Sequence, residues 1–251
     1  MKNSQLNGML IVDKPKGWTS HDVVAKLRNT LSLKKIGHGG TLDPEATGLL
    51  IILLGTFTKK SEQILGLDKS YTIDFILGRS TTTGDEEGET IEALEKTDET
   101  LQQITQKDLG AALESLRGKI AQQVPWFSAI KVDGKKLYQY ARGKSPEELN
   151  NLDTQIERPV REIEIKRLEI ERFEQGTDES YPKGALIVDC SSGTYTRVLV
   201  EDLGKALHVP AYQTDLRRMR IGDFTLDQAL EEKDFESIES ILSRVIIRDD
   251  F

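Results

Sequence analysis

The sequence predicts a mixed α+β fold. Three observations carry this. Strand-like and helix-like segments interleave along the chain, their spacing lacks a regular βαβ alternation, and no repeat or clean linker divides the 251 residues. A chain of this length can bury a real core as one large domain, or as one domain with a small appendage.

The elements follow in order. Residues 8–13 are mostly apolar and stop at Lys14-Pro15-Lys16-Gly17, a turn signal, so they read as a short strand. Thr19 or Ser20 can cap a helix running to about Leu31, with Val23, Val24, Leu27 and Leu31 on one stripe. Residues 37–48 are a Gly-rich loop with one proline. Residues 69–78 alternate well enough for a strand, residues 80–100 are polar, acidic and loop-rich, and residues 107–116 suit a helix. Residues 129–132 form a strand fragment entering the turn dipeptide Asp133-Gly134. A short helix is expected over 137–142, a mobile loop over 143–158, and strands over 162–173 and 185–190. Residues 194–207 make an amphipathic helix through Val198, Leu199, Leu203, Ala206 and Leu207, and residues 226–245 suit one or two terminal helices.

Composition removes several classes. A single cysteine, Cys190, cannot form an intramolecular disulfide, which points to a reducing compartment. His21, His38, His208 and Cys190 lie far apart in sequence with no C-x-x-C, H-E-x-x-H or EF-hand pattern, so no protein-built metal site is expected. There is no signal-peptide pattern at the N-terminus. The longest apolar run, residues 49–54, is too short to span a bilayer. The expectation is a cytoplasmic protein with no membrane association.

Net charge is −8, which by itself argues against a nucleic-acid partner. The acid is concentrated, however. Residues 85–114 hold ten acids against two bases, and residues 227–251 hold eight against three. Residues 1–40 are net +5 and residues 115–144 net +6. One cationic face on an acidic protein is therefore permitted. The acidic stretches are expected away from the reactive loop and the basic ones beside it.

That loop is Lys35-Ile36-Gly37-His38-Gly39-Gly40-Thr41-Leu42-Asp43-Pro44-Glu45-Ala46-Thr47-Gly48. Its glycines allow close backbone approach, and Asp43 precedes a proline that biases it toward an extended backbone. A carboxylate so placed is a candidate nucleophile or base. A Gly-rich turn with a capping aspartate fits the spacing equally well. No G-K-[ST] closes the loop, and it is not G-x-G-x-x-G.

The same segment resembles the G-H-x-G-T-L-D-P-x-A-x-G motif of the TruB family of pseudouridine synthases. Four further blocks are similar in order and spacing. They are Lys69-Ser70-Tyr71 with Leu77-Gly78 and Thr81-x-Thr83-x-Asp85-x-x-Gly88; the stretch from Gln122 to Lys131 with Gly134, Tyr138, Ala141 and Arg142; Cys190 to Arg197 with Asp202-Leu203-Gly204; and Leu216-Arg217-Arg218 with Gly222 and Phe224. The blocks span residues 8–226. Val124 departs from the first of two prolines in the family pattern, and Phe127 from a tyrosine.

The resemblance implies a mostly antiparallel central sheet flanked by helices. It also implies isomerisation of uridine to pseudouridine in the T-arm stem-loop of tRNA, at position 55, with no cofactor. Asp43 is implied as the nucleophile, a buried carboxylate reached by flipping the nucleotide out of the stack. Arg197 is implied as its ion-pair partner, and Tyr71 as the group that stacks on the base and takes the C5 proton. His38 would hold the flipped state and Leu216 would wall the pocket. Lys14, Lys16 and Lys131 are candidate RNA contacts. The catalytic domain is expected over 1–226, with an RNA-gripping thumb at about 131–158. Residues 227–251 are expected as a short helical tail in place of a full PUA-type domain. A monomer without an obligate protein partner is expected. The competing expectations are a guide-dependent relative of the dyskerin type and a catalytically idle RNA-binding or RNA-folding module.

Overall fold

The computed structural model describes residues 6–248. The chain begins with β1 (Gly8–Lys14), α1 (Ser20–Leu31), β2 (Ile36–His38), β3 (Thr47–Leu54), α2 (Ser61–Gly66) and β4 (Lys69–Leu77). It continues through β5 (Arg79–Thr81), β6 (Thr90–Ala93), α3 (Glu99–Gln103), α4 (Gln106–Glu114) and β7 (Gly118–Gln123). Next come β8 (Lys131–Val132), β9 (Lys135–Lys136), α5 (Leu137–Ala141), α6 (Pro146–Asp153), β10 (Val160–Glu174) and β11 (Lys183–Cys190). It closes with α7 (Thr196–Ala206), β12 (Ala211–Ile221), β13 (Phe224–Thr225) and α8 (Ile238–Ser243). Two compact units result. The first holds the described residues up to Thr72 and from Leu216 onward; the second is Ile73–Asp215. The fold is mixed α+β, as expected.

In the first unit β1 and β3 pair antiparallel from Gly8↔Leu54 to Lys14↔Gly48. β2 pairs antiparallel with the end of β3, and β12 runs parallel to its start at Arg217↔Thr47 and Arg218↔Gly48. The unbroken apolar run of β3 has a simple cause: both its faces are buried. Leu50, Ile52 and Leu54 join Leu10 and Val12 against Val23, Val24, Leu27 and Leu31 of α1. Leu49, Ile51 and Leu53 turn the other way, with Met9 and Ile11, onto Phe57, Ile64, Ile221 and Phe224. α1 starts in a capping box, in which the Thr19 hydroxyl accepts the Asp22 N–H and the Asp22 carboxylate accepts the Thr19 N–H.

The terminal segment differs from the expected one or two helices. It forms short 3-10 turns at Leu226–Gln228 and Glu232–Asp234 and the six-residue α8. Its buried anchors, Leu230, Phe235 and Ile241, are spaced by five and six residues, which no single helical stripe supplies. Leu230 instead exchanges backbone hydrogen bonds with β1, accepting from Asp13 and donating to Ile11.

In the second unit the strand order is β4-β11-β10-β7, and β10 pairs antiparallel with both β11 and β7. The acidic region after residue 80 contains a β5–β6 hairpin, with Arg79↔Ala93 and Thr81↔Thr90 opposed. Residues 143–158 are not loop throughout. They contain α6, with Ser145 as N-cap, Pro146 in the first turn and Glu148 closing a capping box. Leu149 of α6 is buried in a small core with Val124, Trp126, Leu137 and Ala141.

Candidate active site

The loop between His38 and Thr47 lies outside any strand ladder, so its backbone groups need other partners. Side chains supply most of them. Arg218 donates from Nη2 to Gly40 O at 3.2 Å, from Nη1 to Thr41 O at 3.3 Å and from Nε to Leu49 O at 2.7 Å. Ser20 Oγ accepts the Leu42 N–H at 2.9 Å and donates to Leu42 O at 3.2 Å. Asp43 O accepts the Ala46 N–H at 3.1 Å. Pro44 O accepts from Gly17 N at 3.0 Å and from Lys14 Nζ at 2.9 Å. Five consecutive carbonyls, Gly40 to Pro44, are each held by a donor, so Asp43 sits on a backbone fixed on both sides.

Two glycines make this packing possible. A Cβ on Gly39 would come within 2.4 Å of Ile64 Cγ2. Gly48, at φ +99°, would place a Cβ 2.3 Å from Arg218 O, where β3 meets β12.

Asp43 itself is exposed, which corrects the expectation of a buried carboxylate: the loop is anchored through its backbone and leaves the side chain at the surface. Lys14 corrects the expectation of an RNA contact. It is fully buried, and its ammonium donates to Pro15 O at 3.0 Å, Trp18 O at 2.6 Å and Pro44 O at 2.9 Å. Three donors meet three acceptors, and no N–H is left for a phosphate. Burial pushes its pKa down to about 8, against the opposing pull of Glu45 and Asp43. Lys16 remains at the surface, 3.8 Å from the Glu45 carboxylate.

His38 closes β2, and its Nδ1 accepts the Gly40 N–H at 3.4 Å. Its ring meets His21 edge-on, with centroids 5.7 Å apart. Burial, then the charges of His21 and Arg218, hold the His38 imidazole below its ordinary pKa. Tyr71 on β4 and Leu216 on β12 are both buried. The Tyr71 side chain is hydrogen-bonded to Arg218. The first unit thus carries Asp43, His38, Tyr71, Leu216, Lys14 and Lys16.

Arg197 and Lys131 belong to the second unit. Arg197, in the first turn of α7, is buried and donates to Thr83 O at 2.8 Å and Phe127 O at 3.0 Å. Its Nη1 lies 3.3 Å from Asp85 Oδ2. The Asp85 carboxylate also accepts from the Thr83 hydroxyl and from Glu87 N at 3.2 Å. Lys131 is exposed on β8. The Phe127 departure costs Arg197 nothing, because the contact is to the backbone carbonyl.

Three residues have structural roles that the sequence does not assign them. Arg218 and Asp85 stand inside the family-like motifs, as the second arginine of L-R-R and the acid of T-x-T-x-D, with no task visible from their positions alone. Ser20 reads in sequence only as a possible helix cap. Among the described residues no cluster of three or more His, Cys, Asp or Glu could hold a metal ion, and no helix is long and apolar enough to cross a membrane.

Known proteins share this mixed fold and match most of this sequence. A solved Cbf5-Nop10-Gar1 complex contains a chain that is 27% identical, with a TM-score of 0.65 over 90% of this protein. This protein spans about half, 53%, of that chain. The profile for "TruB family pseudouridylate synthase (N terminal domain)" matches residues 28–196. A protein of Corynebacterium diphtheriae named tRNA pseudouridine synthase B is 44% identical over 224 residues, 89% of this chain and 70% of the relative. One of the same name from Staphylococcus saprophyticus is 41% identical over 232 residues, 92% of this chain and 72% of the relative. The chain belongs to the TruB family of pseudouridylate synthases.

Proposed function

We propose that this protein isomerises uridine to pseudouridine in tRNA, acting on position 55 of the T-arm loop. The observation that carries this is the Asp43 loop: in a TruB-family chain, five successive carbonyls are held and the Asp43 carboxylate is presented outward. A nucleophile gains from being aimed before substrate arrives. The target nucleotide leaves its stack at a cost of a few kcal/mol and meets Asp43. The glycosidic bond passes from N1 to C5 with no net redox change, so no cofactor is required.

Tyr71 stacks on the detached base and accepts the C5 proton. Leu216 forms an apolar wall, and His38 holds the flipped state. Lys16 and Lys131 meet phosphates. Arg197 is assigned to the reacting carboxylate on the resemblance, and its own unit supports a fixed cation through Asp85, Thr83 and Phe127. Residues 1–226 serve as the catalytic domain and the segment about 131–158 as the RNA grip, in a monomer of the cytoplasm that needs no protein partner.

The test is chemical mapping of pseudouridine in a bare T-arm hairpin treated with the purified protein. Conversion at position 55 by the native chain and none by Asp43→Asn is expected. Unchanged conversion by Asp43→Asn would overturn the assignment. Failure of the native chain on the bare hairpin would favour a guided enzyme or an idle binding module.

A further inference from the structure

Arg218 occupies an unusual position. It is 2% exposed, yet it carries a full positive charge at pH 7. Its fork donates to three backbone carbonyls, at Gly40, Thr41 and Leu49, and it also bonds the Tyr71 side chain. Two of those carbonyls belong to the loop that presents Asp43. Its own backbone is locked too, since Arg218 opposes Gly48 in the β12–β3 pairing and leaves no room there for a Cβ. Burial draws its pKa below the ordinary value, while Tyr71 and Asp43 pull the other way.

We propose that Arg218 is a positioning residue that fixes the Tyr71 phenol oxygen as the acceptor of the uracil C5 proton and keeps it in register with the Asp43 loop. The inference rests on the proposed isomerase activity and deepens it. A phenol oxygen that accepts a hydrogen bond from a buried guanidinium is favoured in its anionic, proton-accepting form. When the base is rejoined to the ribose through C5, that carbon still bears its hydrogen. The C5–H bond then breaks, and its electron pair forms the C5=C6 double bond. The C6=N1 π pair moves to N1, which takes a proton from solvent, and the C5 proton goes to the Tyr71 oxygen. No oxidant, reductant or second substrate is needed.

Lysine keeps the charge of Arg218 but loses its planar fork and has three donors for the four partners Gly40 O, Thr41 O, Leu49 O and Tyr71, so it cannot hold them all together. The experiment compares native protein with Arg218→Lys on tRNA carrying 5-deuterouridine at the target site. For the variant, tRNA affinity within about twofold of native and kcat lowered about 30-fold are expected, with a deuterium isotope effect at C5 of about 2 or more that native protein lacks. A purely structural role would lower kcat without exposing the C5 step. A kcat loss with no isotope effect, or one matched by an equal loss of tRNA affinity, therefore overturns the proposal. Arg218→Gln, which removes the charge and keeps two amide donors, serves if the lysine variant does not fold, and the same outcomes decide. If native protein makes no pseudouridine, the isomerase reading fails; if it does and the variants show no isotope effect, only the role of Arg218 fails.

Discussion

Ser20 and Leu42 hold each other through one hydroxyl, which accepts the Leu42 N–H at 2.9 Å and donates to the Leu42 carbonyl at 3.2 Å. Ser20 is the first residue of α1 and Leu42 is the neighbour of Asp43, so the helix start is tied to the Asp43 loop through a single side chain.

Ser20→Ala leaves a buried N–H and a buried C=O without a partner. Unfolding free energy should fall by about 1–3 kcal/mol. Turnover should fall by more than tRNA affinity, because the variant loosens the backbone beside Asp43, the proposed nucleophile, and removes no proposed RNA contact. Urea unfolding and single-turnover kinetics read the two effects. A stability loss with native turnover would contradict the role.

Asp85→Asn tests the buried pair in the second unit. The side chains of Arg197 and Asp85 are only 10% and 18% exposed, so removing the carboxylate charge strands a desolvated guanidinium. The cost should be about 1–3 kcal/mol, softened because asparagine still accepts from Thr83 and Glu87. Pseudouridine formation should drop well beyond any change in tRNA binding, measured by filter binding beside a turnover assay. Equal losses in both would make Asp85 a scaffold residue alone.

How much of this is legible in the sequence follows from the range of each interaction. α1 is readable because the Thr19 cap and the stripe of Val23, Val24, Leu27 and Leu31 are local signals. The strand at the N-terminus and the Asp43 loop are readable for the same reason. α6 escapes a reading by composition although Ser145-Pro146-Glu147-Glu148 is a helix start, because the polar residues around it resemble a loop. Lys14 misleads because lysine is usually solvated. Pro15 and Trp18 are local, and only the tertiary approach of Pro44 completes the three carbonyls that hold its ammonium. Arg218 and Asp85 need partners 178 and 112 residues away respectively, at Gly40 and Arg197, which no window along one chain reveals.

Lys14 should leave a signature in pH-dependent stability. Its pKa falls from the ordinary lysine value of 10.5 to about 8 in the fold, so between those values the unfolded chain binds more protons than the native one. Stability must therefore rise with pH across that window, by at most about 1.4 kcal/mol per pH unit from this group. Between about pH 8 and 9.5, native protein should gain on the order of 1 kcal/mol relative to Lys14→Met. Urea midpoints at the two pH values provide the comparison. A native chain that gains nothing on Lys14→Met would show that the buried ammonium is not titrating there.

Salt dependence separates the lysines by where their charge lies. Binding of RNA releases counterions, and each phosphate contact contributes about 0.7–0.9 to the slope of log affinity against log salt. The net charge of −8 does not forbid a steep slope, since residues 1–40 and 115–144 are strongly basic. Lys16 and Lys131 have exposed side chains, so Lys16→Ala and Lys131→Ala should each weaken tRNA binding and flatten the slope by about one contact. Lys14 shares the charge of these two but not their access, because Pro15, Trp18 and Pro44 occupy its three donors. Its replacement by methionine should change the slope by less than either surface variant does. Fluorescence-anisotropy titrations over a range of potassium chloride decide the matter: a slope unaffected by Lys16 and Lys131 yet reduced by Lys14 would mean that the loop opens on binding and releases the ammonium to the RNA.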